Sequence, residues 1–274
     1  MLTLNCKGKL LVLEQPAIMS IINATPDSFY KGNINDDILQ LAQQMIADGA
    51  AILDIGGQST RPGSQRITAE EELKRVLPVI AVIHNNFPQT IISIDTYSSK
   101  VAFAAVEAGA SIVNDISAGN MDAAMIDTVA ALQVPYVCMH MQGTPNTMQQ
   151  EPHYNDVVKE VLDFFIAKVA ECKKAGIVDI IIDPGFGFGK TITHNFSLLK
   201  KLSVLNMLGN PILAGLSRKS TVYKTLHTTA DNALNGTTVL NTIALQNGAS
   251  ILRVHDVKEA KEAVTLYTAY KKAP

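Results

Sequence analysis

The sequence predicts a (β/α)8 barrel, on three observations. A phrase recurs in which a helix ends at glycine, a short apolar strand follows, and a polar residue closes the strand. It reads Asp48-Gly49-Ala50-Ala51-Ile52-Leu53-Asp54, and it returns at 108–114, at Ala175-Gly176 leading to Asp183, and at Asn247-Gly248 leading to Arg253. Four further apolar runs, 17–22, 90–94, 135–139 and 211–215, bring the strand candidates to eight. Helical patterns fall between them, as right-handed βαβ units in a parallel sheet require. A doubly wound sheet shares that alternation, but neither nucleotide-binding fingerprint is present.

Residues 1–14 precede the first strand and are a candidate for a small hairpin across the barrel's bottom. The first strand, 17–22, leads to a helix over 36–47. Thr68 and Glu71 have the spacing of a capping box, opening a helix that runs to about residue 86. Further helices fit 98–108, 121–132, 154–175, 195–202, 217–226 and 232–247. Asp256 is placed to cap a last helix, 257–271. The glycines of the recurring phrase fit the left-handed position just past a helix end. Ile180-Ile181-Ile182 has no polar face, which suits a strand buried on both sides. No linker or composition break interrupts the chain, so one domain over 1–274 is expected.

Composition narrows the function. The 274 residues are 47% hydrophobic and 18% charged, enough for a large core, and barrels of this kind commonly run to about 250 residues. Tryptophan is absent and aromatics are few, which disfavours base-stacking platforms. A net charge of −2 without a basic block argues against nucleic acid as a partner. No apolar run approaches the roughly 18 residues of a membrane span, and Leu10-Leu11-Val12-Leu13 is too short for a secretion signal. Cys6, Cys138 and Cys172 are odd in number and far apart, which fits reduced cytosolic thiols better than disulfides or a zinc site. A cytoplasmic enzyme is therefore expected.

In such barrels the active site lies at the C-terminal ends of the strands. Here those ends carry Asn23, Asp54, Asp95, Asn114, His140 and Asp183, then Gly215 leading to Arg218 and Lys219, and finally Arg253 and His255. One such aspartate is as readily a helix cap as a ligand, and Asp54 has both readings. A whole ring of polar ends is not explained by capping. Asp95, Asn114 and Asp183 suit a flat heterocycle that offers N–H donors, since a wrong ligand would leave buried polar groups unpaired. Arg61, Arg253 and His255 suit a phosphate or pyrophosphate. Asn23 is a hard oxygen ligand, suited to a Mg²⁺ that keeps most of its shell as water and substrate oxygen.

The stretch Asp183-Pro184-Gly185-Phe186-Gly187-Phe188-Gly189-Lys190 ends a strand in a carboxylate and follows it with three alternating glycines. It is neither a P-loop nor a dinucleotide fingerprint, and its plainer reading is a tight turn that needs glycine. Two other loops, 23–33 and 56–64, have glycine hinges and polar tips suited to closing over substrate. A third, 141–153, is polar and carries no assigned role. His84, His194 and His227 lie on or at the ends of helices without a partnering motif. No H-E-x-x-H, Cys/His cluster or G-x-S-x-G elbow is present.

Taken in order, these residues resemble the dihydropteroate synthases, folate-pathway members of the pterin-binding (β/α)8 barrels. The matching stretches are Asn23-Ala24-Thr25-Pro26-Asp27-Ser28-Phe29, Asp54-Ile55-Gly56-Gly57, Ser59-Thr60-Arg61-Pro62-Gly63 and Ile94-Asp95-Thr96. They continue through Asn114-Asp115-Ile116-Ser117, Met139-His140-Met141, residues 183–191, Ser217-Arg218-Lys219-Ser220 and Arg253-Val254-His255-Asp256. The resemblance implies condensation of 6-hydroxymethyl-7,8-dihydropterin diphosphate with 4-aminobenzoate and release of pyrophosphate. It implies that Asp95, Asn114, Asp183 and Lys219 hold the pterin, that Met139 packs on its ring, and that Phe188 lines the passage to the aminobenzoate. Thr60, Pro62 and Ser220 would bound the aminobenzoate pocket, with its carboxylate at the helix start after Lys219. Asn23, Arg61, Arg253 and His255 would hold diphosphate and Mg²⁺, and Asp27 would approach the reacting carbon.

The resemblance further implies a homodimer and competition by sulfonamides. The chain departs from the family at Gln58, where Glu is usual, at Gln142, where Arg is common, and at Tyr30-Lys31; these bear on loop closure and drug response. A methyltetrahydrofolate-dependent methyltransferase would share the Asp/Asn grip but lack the Ser-Thr-Arg-Pro-Gly and Ser-Arg-Lys-Ser segments. A non-catalytic pterin-binding relative would be expected to lose Arg253, His255 or Arg61.

Overall fold

The computed structural model describes residues 2–25, 34–58, 66–144, 148 and 152–274. The chain opens with strands β1 (Leu2–Cys6) and β2 (Lys9–Leu13), which pair antiparallel. The barrel proper then alternates β3 (Ala17–Asn23), α1 (Ile34–Ala47), β4 (Ile52–Gly56), α2 (Ala69–Asn86), β5 (Ile91–Asp95) and α3 (Ser99–Glu107). It continues through β6 (Ile112–Asp115), α4 (Met125–Leu132), β7 (Tyr136–Met139), α5 (Val157–Ala175), β8 (Ile180–Asp183) and α6 (Ile192–Lys200). After a 3-10 turn, Leu202–Leu208, come β9 (Leu213–Ala214), α7 (Ser220–Thr225), α8 (Leu234–Gln246), β10 (Ile251–Val254) and α9 (Val257–Lys272).

Eight strands lie parallel in the order β8-β7-β6-β5-β4-β3-β10-β9. A parallel bridge between Ile182 and Ile212 joins the two ends, so the sheet closes as a (β/α)8 barrel. All eight expected strands are present, and the first hairpin lies where the bottom of the barrel was expected to be covered. Leu4, Cys6 and Leu11 pack there with Met19, Ile52, Ile91, Ile112, Val137, Ile181, Leu213 and Ile251. Those last residues are the inward positions near the strand starts. The outward positions, such as Leu53, Ile55, Ile94, Val113, Ile182 and Leu252, pack against the helices.

Side chains along a strand alternate in direction. Two residues above each inward apolar position therefore stands another inward one: Asp54 above Ile52, Asn114 above Ile112, Met139 above Val137, Asp183 above Ile181, Gly215 above Leu213 and Arg253 above Ile251. On β5, Ser93 and then Asp95 follow Ile91. This register carries the polar strand ends into one mouth.

Several boundaries differ from the sequence expectation for local reasons. The helix expected from 121 starts at Met125, because Asp122 accepts from the backbone N–H of Ala124 and of Ser99. The helix expected from 154 starts at Val157, capped by Asp156 through the N–H groups of Val158 and Lys159. The helix expected over 195–202 begins three residues earlier, at Ile192. There Thr191 and His194 form a reciprocal capping box, so His194 has a partner that its spacing did not reveal. Thr68 accepts from the Glu71 N–H as expected, while the Glu71 carboxylate turns to Arg75. Asp256 precedes α9 without a side-chain cap, because its carboxylate is taken by Arg218.

Candidate active site

The centre of the mouth is Arg253. Its Nε donates to Asp54 Oδ2 (2.6 Å), and its Nη2 donates to Asp95 Oδ2. Asp54 is fully buried, and its Oδ2 also accepts from Asn114 Nδ2 (3.1 Å). One carboxylate therefore aims both a cation and an amide at the pocket. Among the described residues the other oxygen of Asp54 has no partner. Asp54 is thus the keystone of the cluster, and its strand-end position was compatible with a mere cap. Burial works against charge on Arg253, but Asp54 and Asp95 hold its pKa well above the usual range. Burial pushes Asp95 up to about 7, against the pull of Arg253.

Across the barrel, Asp183 is buried and its Oδ1 accepts from the Gly185 N–H (2.7 Å). Burial raises its pKa while the Lys219 charge opposes the rise. Lys219 Nζ donates to the Phe186 carbonyl (2.6 Å) and lies 4.7 Å from the centre of the Phe188 ring. Burial draws Lys219 down to about 8, with Asp183 opposing. Gly215 lies beside this group: a Cβ there would sit 3.5 Å from Lys219 Nζ and 4.0 Å from Arg253 Cβ. Met139 is buried at the end of β7 and touches the same loop, its Cγ 3.3 Å from where a Gly185 Cβ would stand. That Cβ would lie 1.9 Å from the His140 carbonyl oxygen, so position 185, at φ +67°, admits only glycine.

At the neighbouring edge, His255 is exposed and its Nδ1 lies 3.0 Å from Ser217 Oγ. Ser220 begins α7 and Asn23 ends β3, exposed at the rim. The structure thus brings together Asp95, Asn114, Met139, Asp183, Phe188, Lys219 and Arg253 around one mouth, with Asn23, Ser220 and His255 on strand-end segments bordering it. Asp27, Thr60, Arg61 and Pro62 lie outside the described residues, as do Tyr30 and Lys31.

Two strand-end residues do not face the mouth. His140 follows the inward Met139, so alternation turns it out of the mouth, into a buried site where burial and Lys190 push it down to about 3. Arg218 has φ +53° and forks onto Asp256 (2.8 and 2.9 Å), also donating to the carbonyls of Ala230 and Asp231. It is scaffold beneath the loop that carries Lys219. The two departures from the family pattern that are described also have structural partners. Gln58 Nε2 donates to Tyr97 Oη (2.6 Å), and Gln142 exchanges two hydrogen bonds with the backbone of His153 (2.8 and 3.0 Å).

A metal site must also fit these donors. Among the described residues no three His, Cys, Asp or Glu side chains cluster to cage an ion. Asn23 offers one hard oxygen at the rim. That fits a Mg²⁺ held chiefly by water and a substrate diphosphate, and does not fit a protein-built cage.

Residues 19–255 match the family of pterin-binding enzymes. The chain is 42% identical to the dihydropteroate synthase of Escherichia coli K12 over 268 residues, covering 96% of this chain and 94% of the relative. The chain belongs to the dihydropteroate synthase family. Solved family structures share its fold throughout. The Xanthomonas albilineans dihydropteroate synthase with 4-aminobenzoic acid superposes with a TM-score of 0.92 at 40% identity, covering 99% of each chain. The Yersinia pestis dihydropteroate synthase in complex with a sulfonamide drug gives 0.94 at 40% identity, covering 99% of this chain and 100% of that one.

One buried acid near this dihydropteroate synthase pocket has a measurable signature. Glu72, on α2, is 3% exposed, and a Cβ on Gly57 would sit 3.0 Å from its Cγ. Burial raises it from 4.5 to about 7, against Thr96 and Arg75. The folded state therefore holds a proton that the unfolded chain gives up. Its favourable contribution is full below the unfolded pKa and lost as pH rises through 7, a difference of up to about 3 kcal/mol. Glu72→Gln removes that dependence. Urea unfolding at pH 5 and pH 8 is expected to show the variant gaining on the native chain at the higher pH. An unchanged gap would refute the assignment.

Proposed function

We propose that this chain condenses 6-hydroxymethyl-7,8-dihydropterin diphosphate with 4-aminobenzoate, yielding 7,8-dihydropteroate and pyrophosphate. The observation that carries the reading is the opposed arrangement of acceptors and cations at one mouth. Asp95, Asn114 and Asp183 present acceptors and an amide to a flat ring, while Lys219 and Arg253 present positive charge beside them. Met139 supplies the apolar contact to the ring, and Phe188 lines the passage toward the aminobenzoate.

The electrophile is a CH2 group on an electron-rich ring, and its leaving group is an anion. Arg253 and His255, joined by Arg61 from the second loop, stabilise the charge that develops on the departing pyrophosphate. Mg²⁺, bound by the diphosphate, water and Asn23, would supply further neutralisation of that anion. The aniline nitrogen is already nucleophilic at neutral pH, so no strong base is needed. Carbon–oxygen cleavage runs ahead of amine attack, and the cation so formed is held by the pterin pocket. Asp27 lies on the loop that would bring a carboxylate to it, and loop closure would keep water from it. Positional isotope exchange of the bridging oxygen, without aminobenzoate, is the mark of this order; its absence there, in enzyme that turns over once aminobenzoate is added, would argue for concerted displacement.

The 4-aminobenzoate pocket that Thr60, Pro62 and Ser220 would bound would also accept sulfonamides as competitors. A cytoplasmic setting agrees with three buried cysteines free of disulfides, and no helix among the described residues is long and apolar enough to cross a membrane. A homodimer is supported by the exposed apolar side chains of Val239 on α8 and of Leu266 and Tyr270 on α9, the last two lining a groove of about 350 Å³ between these helices; a monomeric mass by sedimentation would exclude it. The activity itself is tested by pyrophosphate release with dihydropterin diphosphate and Mg²⁺, with and without 4-aminobenzoate. Matched formation of dihydropteroate is expected. Binding of the pterin without any turnover would overturn the synthase reading.

A further inference from the structure

We propose that Lys190, outside the ring of substrate contacts, is the positioning residue that seats the glycine loop after β8 at the pterin pocket by strapping it to His140, the residue after β7. The inference rests on the pterin-binding reading of that pocket.

The loop over 185–189 has no helix or strand to satisfy its backbone. Three of its residues are glycines at positive φ, which leaves it with large conformational freedom to lose. Besides one turn bond, from the Phe188 N–H to the Gly185 oxygen (3.1 Å), four of its carbonyls are held by side chains. Lys190 Nζ donates to the Gly185 oxygen (3.0 Å) and the Phe188 oxygen (3.1 Å). Lys219 takes the Phe186 oxygen, and Tyr154 Oη donates to the Gly189 oxygen (2.8 Å). Asn195 accepts from the Gly187 N–H (2.8 Å).

Lys190 differs from the other clasps because it holds two of the loop's carbonyls and also reaches the residue after β7. Its Nζ lies 2.9 Å from His140 Nδ1 and 3.4 Å from the His140 carbonyl oxygen. Burial and the Lys190 charge keep His140 neutral, and in the tautomer with its proton on Nε2 the Nδ1 accepts from Lys190. Burial draws Lys190 down to about 7, with Asp183 opposing, and in its ammonium form it has three protons for these acceptors. His140 adjoins Met139, which packs on one side of the pocket. Gly185 and Phe188 lie in the loop that follows Asp183, the last residue of β8. Sheet pairing already sets Met139 beside Asp183, with the His140 N–H donating to the Asp183 carbonyl oxygen (3.0 Å), so what the strap fixes is how the glycine loop folds over that edge, with Gly185 against Met139. Through the Phe188 ring and the Phe186 carbonyl it also fixes the seat of Lys219.

Lys190 is 3% exposed, and burying a charge this far costs several kcal/mol. An apolar side chain would fill the space with less desolvation. It could not hold two loop carbonyls and an imidazole nitrogen at once.

Lys190→Met in the full-length chain is the test, read as the separate constants for the two substrates. The KM for dihydropterin diphosphate and the calorimetric Kd for 6-hydroxymethylpterin are expected to rise roughly tenfold or more, with the KM for 4-aminobenzoate changed less than about threefold. Lys190→Gln, which keeps two donors, is expected to recover part of the pterin affinity. Tyr154→Phe removes only the clasp on Gly189 and is expected to move the pterin constants in the same direction by roughly threefold; these two variants carry the test if Lys190→Met does not accumulate. A purely structural lysine would lower Tm or the active fraction and leave the pterin constants unmoved, and that result overturns the inference. Native protein that makes no dihydropteroate would instead overturn the functional reading beneath it.

Discussion

Arg253→Met is expected to lower kcat roughly 10²–10³-fold and to destabilise the fold by about 3–5 kcal/mol. Two separate causes act at one residue. The guanidinium is aimed at the pocket by Asp54 and Asp95, so its loss removes a fixed cation from the place where the leaving group gains charge. The same loss leaves two buried carboxylates facing each other without their shared partner. One of them then takes up a proton, which Asp95 is already disposed to do at about 7. Without the pull of Arg253 the Asp95 pKa rises further, so the folded variant keeps that proton to higher pH than the native chain does, over a range in which the unfolded chain has lost it. Its stability must therefore fall as pH rises from the ordinary aspartate range through the raised pKa, and it approaches the native chain toward pH 5. Arg253→Lys keeps a charge but cannot fork onto both acids, so an intermediate defect is expected. Denaturant melts at several pH values, beside steady-state kinetics, test both halves. A kcat within tenfold of native for Arg253→Met would remove Arg253 from the chemistry.

Asp183→Asn is expected to separate recognition from folding. The amide oxygen can still accept from the Gly185 N–H, so the loop is kept and Tm should move little. The other oxygen becomes an NH2 group. A donor then meets the N–H edge of the pterin, and a mismatch of this kind is expected to cost roughly 10²–10³-fold in kcat/KM. Lys219 also loses the acid that opposes its burial. Its pKa should fall further below about 8, so residual activity should decline as pH rises through neutrality. Calorimetry with 6-hydroxymethylpterin measures the first effect and a pH–rate profile the second. Native-like pterin affinity in Asp183→Asn would mean that this carboxylate serves only the turn.

Much of this site was legible because strand alternation is strict. Once Ile52, Ile112, Ile181 and Ile251 are inward, Asp54, Asn114, Asp183 and Arg253 must be inward too. The same rule, applied one residue further, excludes His140, which a reading of strand ends alone had admitted. Arg218 was misplaced for a different reason: its direction depends on a left-handed backbone angle and on Asp256, 38 residues away. Lys190 had no sequence signature beyond its place after a glycine loop. Its partner ring lies 50 residues earlier, and three of its four contacts are to backbone oxygens, which every sequence possesses. His194 looked unpartnered because an imidazole is an uncommon third residue for a capping box. The double role of Asp54 was hidden because a cap and a clamp can use the same strand-end acid.

The barrel is stitched unevenly. β3 and β4 pair over five residues, whereas β8 meets the β9 segment through one bridge, supported by the Ile182 N–H on the Pro211 oxygen and Asn210 on the Ile180 oxygen. Local opening should begin at that seam, where the fewest bonds need to break. Asp183 stands at the end of one lip, and Lys219 follows the other. A molecule gripped by both spans the gap, so a filled pocket would damp the fluctuation of the whole ring. Amide hydrogen exchange at Ile182 should slow when pterin binds; exchange there that ignores the ligand would show the seam to be mechanically separate from the pocket.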